Sequence, residues 1–432
     1  MTKPNAPALR LPFELTSKTF CLCLPRHGRV RPRRNGPPLQ MAQVCRQWRD
    51  VALATPELWR SIDFEFSVEE LRYDGLPTLF GQPEKEFMQW NPAAILDLWL
   101  TRSSQLPISV SMCCYDFLPS SMIPLLASHS RRWEHLELKL HRNDFRELAQ
   151  TPGPFPLLRG LFIRVLGDPR PVEIRDFLRN IPMLAKLDIR DRFVQEVLLA
   201  MCPLIALNLD HEGHVSGTSR WNDVFKAFPK LRHFGAYGVN PHTSLTHESL
   251  RPLTRVPPLS TLILNGGPQF LHTLTIPTLR HLSVQLFGST SAPYTPGFAL
   301  HVQEFILRSG CLLDILTIAV TESPENSDVS GELALFLAVP TLCTLELQLW
   351  RPHTEESHAS SDARYRLLRT PGILPELKNL IITDMDSFST PAAYNTFIDI
   401  VCSRHALRSA ELHIFPRNFH RHDIVPSLPH GL

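Results

Sequence analysis

The sequence predicts an α/β chain in which a small helical segment precedes an irregular solenoid of parallel strands with helices on the convex side. Three observations carry that expectation. From residue 133 onward the pattern apolar-x-x-apolar-x-apolar recurs eleven times. Stretches with helical spacing separate the instances, and two amphipathic stretches lie ahead of them within residues 11 to 59.

The N-terminal element is read first. Leu11-Pro12 places a proline at the first helical position, where its missing N–H costs nothing, and Glu14 sits where the helix dipole favours an acid. Leu15, Phe20 and Leu24 are the larger apolar residues of this helix, and Pro25 ends it. Further on, Met41, Val44, Cys45, Trp48, Val51 and Ala52 recur at three- and four-residue spacing, which predicts one amphipathic helix. Thr55-Pro56 stops it, and Leu58 and Trp59 offer bulk to close a small helical core. Such a segment is too small to bury much surface and should lean on a partner or on the rest of the chain.

LPxEL, an apolar helix, VCRxW and a TPxLW close occur in that order, and together they resemble the F-box of fungal proteins that pair it with leucine-rich repeats. The resemblance implies that Leu11, Pro12, Leu15, Phe20, Leu24, Val44, Cys45, Trp48 and Trp59 dock on a Skp-type adaptor of a cullin-RING ubiquitin ligase. Thr16, Thr19 and Gln40 depart from the family's apolar pattern, and each would weaken docking by about 1 to 2 kcal/mol through lost burial.

Between the two predicted helices the run RHGRVRPRR holds Arg26, Arg29, Arg31, Arg33 and Arg34. A solvated loop is the favoured reading. A nuclear-import or nucleic-acid patch, or steering toward an acidic adaptor surface, are the alternatives. A net charge of +2 gives no reason to expect nucleic acid or membrane as the main partner.

Residues 61 to 132 join the helical segment to the repeats. Ser61 to Phe66 alternates as a strand, Ala93 to Ser104 reads as a helix, and PISVSM reads as a further strand. These would form a first, poorly patterned repeat that caps the solenoid. Residues 67 to 92 read as an exposed excursion, as do 286 to 297, 321 to 331 and 353 to 364. The expected division is an N-terminal segment at 1–60, a connecting region at 61–132, the solenoid at 133–415 and a tail at 416–432.

The eleven repeat instances begin at Trp133, Leu158, Leu184, Leu204, Leu231, Leu259, Leu279, Leu313, Leu342, Leu377 and Leu407. The last four residues of each alternate, which predicts a strand with two residues in the core and the residues between them on the other face. Helical stretches such as VEIRDFLRNIP, RFVQEVLLAMCP, WNDVFKAFPKL, ALHVQEFILRSGC, ELALFLAVP and PAAYNTFIDIVCSRH lie between. One strand and one helical or irregular return per unit is similar to the leucine-rich repeat. That family places an asparagine three residues after the third apolar slot, and here it is absent from all eleven. Each repeat is therefore expected to complete its turns in its own way, giving an irregular arc about 50 Å long at ~4.8 Å per strand.

The alternation nominates a ligand-facing surface. Its residues are Glu137 and Lys139, Phe162 and Arg164, Asp188 and Arg190, Asn208 and Asp210, and Gly235 and Tyr237. The series continues with Ile263 and Asn265, Ser283 and Gln285, Thr317 and Ala319, Glu346 and Gln348, Ile381 and Thr383, and Glu411 and His413. Arginine and aromatic residues often dominate binding energy, so Phe162, Arg164, Asp188, Arg190 and Tyr237 are the candidate client contacts.

Chemistry of the chain's own is not expected. His211 and His214 stand three apart rather than the four that a zinc-protease helix needs, and Cys21-x-Cys23 and Cys113-Cys114 lack the spacing of zinc knuckles. No nucleophile elbow, phosphate loop or dinucleotide fingerprint occurs, so neither enzyme activity nor a cofactor or metal is expected. Nine scattered cysteines read as reduced core thiols. No apolar run approaches a bilayer span, no signal-peptide stretch is present, and no N-glycosylation acceptor occurs, so an intracellular location, cytoplasmic or nuclear, is expected.

The reading with most support is a ligase substrate receptor whose helices dock on the adaptor while the arc holds a client protein. The alternative is an interaction scaffold whose helical segment only caps the solenoid.

Overall fold

The computed structural model describes residues 11–25, 29–33, 35–66, 91–114, 118–167, 169–210, 219–239, 256–266, 268–286, 298–321, 329–350, 366–370, 372–384, 391–404 and 406–414. The chain divides into two compact units, residues 1–189 with 195–203, and residues 190–194 with 204–432.

The first unit opens with helix α1 (Phe13–Leu22), for which Pro12 is the N-cap. The second predicted helix is two. α2 (Leu39–Val44) stops at Cys45, whose backbone is extended at φ −159° and ψ 172°. α3 (Arg46–Leu53) starts there, with the Cys45 sulfur accepting from the Trp48 N–H. The apolar period runs through the break because a thiol can act as a cap while keeping the side-chain spacing of a helix. A 3-10 turn at Pro56–Trp59 buries Leu58 and Trp59 and leads into the first strand.

Strands β1 (Ser61–Phe66), β2 (Ile108–Cys114), β3 (Trp133–His141), β4 (Gly160–Leu166) and β5 (Lys186–Arg190) follow, each parallel to the next. Parallel pairing requires a crossover after every strand. Helix α4 (Pro92–Arg102) lies between β1 and β2, α5 (Met122–Ser128) between β2 and β3, α6 (Arg142–Ala149) between β3 and β4, and α7 (Pro171–Arg179) between β4 and β5. α4 is capped by Asn91, whose side chain accepts from the N–H groups of Ala93 and Ala94. The sequence pattern does not reveal α5 or α6. Each is too short to show a period, and α6 buries only Phe145 and Leu148.

The second unit repeats the scheme. Its strands are β6 (Ala206–Asp210), β7 (His233–Val239), β8 (Thr261–Gly266), β9 (His281–Leu286), β10 (Ile315–Thr321), β11 (Thr344–Trp350), β12 (Asn379–Asp384) and β13 (Ser409–Ile414), parallel and in chain order. All eleven predicted repeat strands are present in the two units, as are the two in the connecting region. This is a leucine-rich-repeat architecture.

The core is built as the repeat dictates. The first apolar slot is filled by Leu158, Leu184, Leu204, Leu231, Leu259, Leu279, Leu313, Leu342 and Leu377, all buried. The strand starts share one backbone device. The Ile205 carbonyl accepts from the N–H groups of both Arg232 and His233, Arg232 from Ser260 and Thr261, and Ser260 from Arg280 and His281. The same pairing continues through Arg280, Asp314, Cys343 and Lys378, and Arg159 in the first unit accepts from Ala185 and Lys186. Backbone groups thus satisfy one another at the strand starts.

Loop carbonyls on the helix side are satisfied by arginines. Arg132 donates to the carbonyls of Leu100 and Leu106, Arg308 to those of Leu271 and Leu274, and Arg404 to those of Leu368, Ile373 and Leu374. One planar fork serves several acceptors at fixed positions, which a single asparagine could not do across loops of different length.

The described cysteines are free thiols, but they are not all core residues: Cys23 and Cys402 are exposed, whereas Cys202 and Cys311 are buried. Burial pushes the Cys202 thiol up to about 11. At pH 8 only roughly one Cys202 in a thousand would be thiolate. Alkylation followed by peptide mass spectrometry is expected to label Cys23 and Cys402 at least about a hundredfold faster than Cys202. Equal rates would mean that the segment between β5 and β6 around Cys202 opens freely.

Among the described residues, no helix is long and apolar enough to cross a membrane.

Candidate functional site

Two surfaces of the first unit hold most of the docking and client contacts nominated from the sequence. The helical surface is formed by α1 to α3. The inner sides of these helices close a core of Phe20, Met41, Val51, Ala52, Leu58 and Trp59. Phe20 meets Trp48 edge-on at 5.1 Å, and Trp59 meets Trp99 of α4 edge-on at 4.9 Å. The outer sides leave Leu11 42%, Leu15 53% and Val44 58% exposed.

The nine nominated docking residues therefore separate. Leu11, Pro12, Leu15 and Val44 are exposed, and Leu24, Cys45 and Trp48 are half-buried. Phe20 and Trp59 are only 3% and 2% exposed, which corrects the expectation that they contact a partner. The physical reason is that the Trp59 indole N–H donates to the Ala52 carbonyl at 2.9 Å while its ring fills the space between α3 and α4. Phe13 and Leu22 are exposed apolar residues that the pattern did not nominate. A shallow groove lined by Leu11, Phe13, Arg46, Gln47, Asp50, Val51 and Ala54 runs between the start of α1 and α3.

The departures from the F-box pattern also separate. Thr16 is buried, its hydroxyl donating to the Pro12 carbonyl at 3.0 Å, so it is not on the outer surface and cannot weaken docking directly. Thr19 and Gln40 are exposed, and the Thr19 hydroxyl donates to the Leu15 carbonyl at 2.8 Å.

The second surface is the sheet face opposite the helices. Register places Asp63 beside Ser111, Ser111 beside Glu137, Glu137 beside Phe162, and Phe162 beside Asp188 in one row. Lys139 stands beside Arg164 in the next row, and the Arg164 guanidinium lies 5.4 Å from the centre of the Phe162 ring. Phe162, Arg164 and Asp188 are half-buried, as expected of residues on a partly open face.

The start of this face is occupied by the chain itself. Arg31 Nε lies 3.0 Å from Asp63 Oδ2, and Arg29 pairs with Glu137. Val30 between them is buried, and its carbonyl accepts from the Asp63 N–H at 2.9 Å. The arginine-rich segment is thus more than a solvated loop: two of its cations lie on acids of the sheet face. Arg33 is exposed, while Arg26 and Arg34 lie outside the described residues. Burial pushes the Glu137 carboxyl above its usual range, against the pull of Arg29. Half-exposed pairs of this kind contribute little stability, so their consequence is positional: they cover Asp63 and Glu137 and leave Phe162 and Arg164 as the first accessible rung.

In the second unit, Tyr237 is half-buried beside Asp210. Arg190 is 8% exposed, which removes it from the candidate contacts. The further nominated residues Asn208, Ile263, Ser283, Gln285, Thr317, Ala319, Gln348 and Thr383 are also buried. Short side chains lie hemmed between neighbouring rungs, and the polar ones bond along the face. Asn208 pairs with His233 at 3.0 Å, and both Thr317 and Gln348 donate to Glu346, at 3.2 and 2.8 Å. Of the described nominated residues of this unit, only Glu411 and His413, on the last strand, are exposed.

No protein-family model and no curated protein matches this sequence. Among solved structures, the chain is similar to the leucine-rich repeat-containing protein LegL7 of Legionella pneumophila, at a TM-score of 0.41 and 12% identity over 75% of this chain and 88% of that one. It is also similar to a Bacteroides fragilis protein, at a TM-score of 0.34 and 14% identity over 53% of this chain and 65% of that one.

His211 and His214, weighed as metal ligands from their spacing, lie outside the described residues, as do the greater parts of the predicted excursions and the tail.

Proposed function

We propose that this chain is a substrate-receptor subunit of a cullin-RING ubiquitin ligase. In this reading the N-terminal helices dock on a Skp-type adaptor and the repeats hold a client protein. A repeat sheet with an accessible face is a protein-interaction architecture, and that much follows from the fold. The ligase role rests on the F-box-like sequence of residues 11 to 59 together with one observation: Leu11, Phe13, Leu15, Leu22 and Val44 are all exposed on a segment whose inward side is fully packed. Apolar side chains gathered on one small helical element favour a partner that removes them from water. The chain would supply proximity, and the ubiquitin chemistry would take place on the recruited conjugating enzyme.

The test is co-purification of the full chain with a Skp-type adaptor. Replacing Leu15 and Val44 together with aspartate is expected to weaken adaptor binding at least ~100-fold, since each buried unpaired carboxylate opposes association. The melting temperature should not change, because both side chains already face water. Full adaptor recovery with the double variant would sink the proposed docking surface. On the client side, Phe162→Ala with Arg164→Ala is expected to reduce client recovery while leaving the adaptor bound.

A second reading, an interaction scaffold without a ligase role, is favoured by the polar Thr19 and Gln40 on the exposed surface. A folded chain that never retains the adaptor at micromolar concentration would decide for it.

A further inference from the structure

We propose that His272, His301 and Glu304 form a binding site for a divalent transition-metal ion, with zinc the favoured occupant. His272 lies in the last turn of the 3-10 helix Pro268–Thr273, which replaces an α-helix between β8 and β9. Beyond α8 (Val194–Ala200) and α9 (Ser219–Ala227), His301 and Glu304 stand on helix α10 (Phe298–Ser309), which precedes β10. Three residues apart on a helix, they share one face.

The three side chains cluster closely, although His272 faces its two neighbours with different ring nitrogens. His272 Nε2 lies 2.8 Å from His301 Nδ1, and His272 Nδ1 lies 3.5 Å from Glu304 Oε2. One donor atom from each of the three lies within 4.8 Å of the others. The two imidazole planes are close to perpendicular, at 81°. Two imidazoles and a carboxylate are a donor set suited to zinc, and copper or nickel would be the competitors. At zinc–nitrogen distances of about 2.0–2.1 Å, tetrahedral ligands stand roughly 3.3 Å apart. The rings would separate by about half an ångström, and the Glu304 side chain would turn toward the same His272 nitrogen that faces His301. Three protein ligands leave a fourth position for water.

The supporting backbone is held on both sides. Leu271 and Leu274 flank His272 and are buried, and Arg308 donates to both of their carbonyls. Val302 and Phe305 anchor α10 beside its two ligands. A site on fixed elements loses less freedom on binding than one on a loop. An ion there would tie one repeat to the next.

The competing account is a plain hydrogen bond between two histidines. Calorimetric titration of the full chain with zinc chloride separates the two accounts. Exposed thiols such as Cys23 and Cys402 would compete for zinc, so the comparison is by difference. The wild type is expected to take up one equivalent more than either His272→Ala or His301→Ala. Glu304→Gln should keep that equivalent at roughly tenfold weaker affinity. Zinc should raise the melting temperature of the wild type more than that of His272→Ala. Equal stoichiometry and affinity in the wild type and both histidine variants would overturn the proposal and leave only the hydrogen bond. If His301→Ala does not fold, the half-exposed His272→Ala decides alone.

Discussion

Replacing Trp59 with alanine is expected to lower the stability of the first unit by about 3 to 5 kcal/mol. The indole is 2% exposed, packs edge-on against Trp99 at 4.9 Å, and donates to the Ala52 carbonyl at 2.9 Å. The Arg102 guanidinium lies 5.6 Å from the centre of its ring. Truncation leaves a cavity between the helical segment and α4, and it removes the partner of a carbonyl near the end of α3. Urea unfolding followed by tryptophan fluorescence gives the measurement, with the first transition moving to lower denaturant. The outcome also separates two roles that the sequence merges. A docking residue would lose adaptor binding at unchanged stability. A core residue loses stability first, and loses binding only in proportion to the unfolded fraction. An unchanged midpoint would return Trp59 to the docking surface.

The second large effect is expected at the other end of the chain. Arg404 donates to the carbonyls of Leu368, Ile373 and Leu374 at 2.7, 3.0 and 3.1 Å. All three of those residues are buried. Their loop includes Gly372 at φ +87° and Leu374 at φ +50°, so a leucine is held in a left-handed conformation that ordinarily costs about 1 kcal/mol. Burial also pulls the guanidinium below the usual arginine range, which marks how far this cation has left water. Arg404→Ala would strip three buried acceptors of their donor and is expected to cost about 3 kcal/mol. Arg404→Lys should recover less than half of that, because one ammonium cannot span three carbonyls. Hydrogen exchange of the 372–384 amides would report the loss locally. Protection equal to that of the wild type in the alanine variant would show that the loop holds itself.

These two residues illustrate how differently parts of the chain can be read. Trp59 was visible as a large apolar residue at the close of a helical motif, and its importance was legible. Its direction was not, because four residues of 3-10 turn carry no period from which to assign a face. Arg404 gave no signal at all. It follows a helix as one of many basic residues, and the carbonyls that it serves lie 30 to 36 residues earlier in the chain. The break at Cys45 is a related case, since a thiol cap preserves the apolar spacing that normally signals a continuous helix.

The candidate surfaces show the same division. Alternation correctly placed Phe162, Arg164 and Asp188 on the face opposite the core, and parallel register aligned them with Glu137 and Lys139. It could not show that Arg29 and Arg31 lie on Glu137 and Asp63, or that Arg190 and much of the second unit's face are withdrawn from water. Alternation assigns a side of the sheet. Accessibility depends on what the neighbouring rungs and distant segments do with that side.

By itself, the sequence determined where the described strands run and, for the eleven repeat strands, which side chains turn inward, because a strand's alternation is a property of consecutive residues. Only the tertiary structure decided which apolar residues of the N-terminal helices remain outside and which cations cover the sheet face. It alone brought His272 to His301, 29 residues away. Each of these depends on contacts between residues of different repeats, and insertions of unequal length between the strands erase any spacing that would announce them.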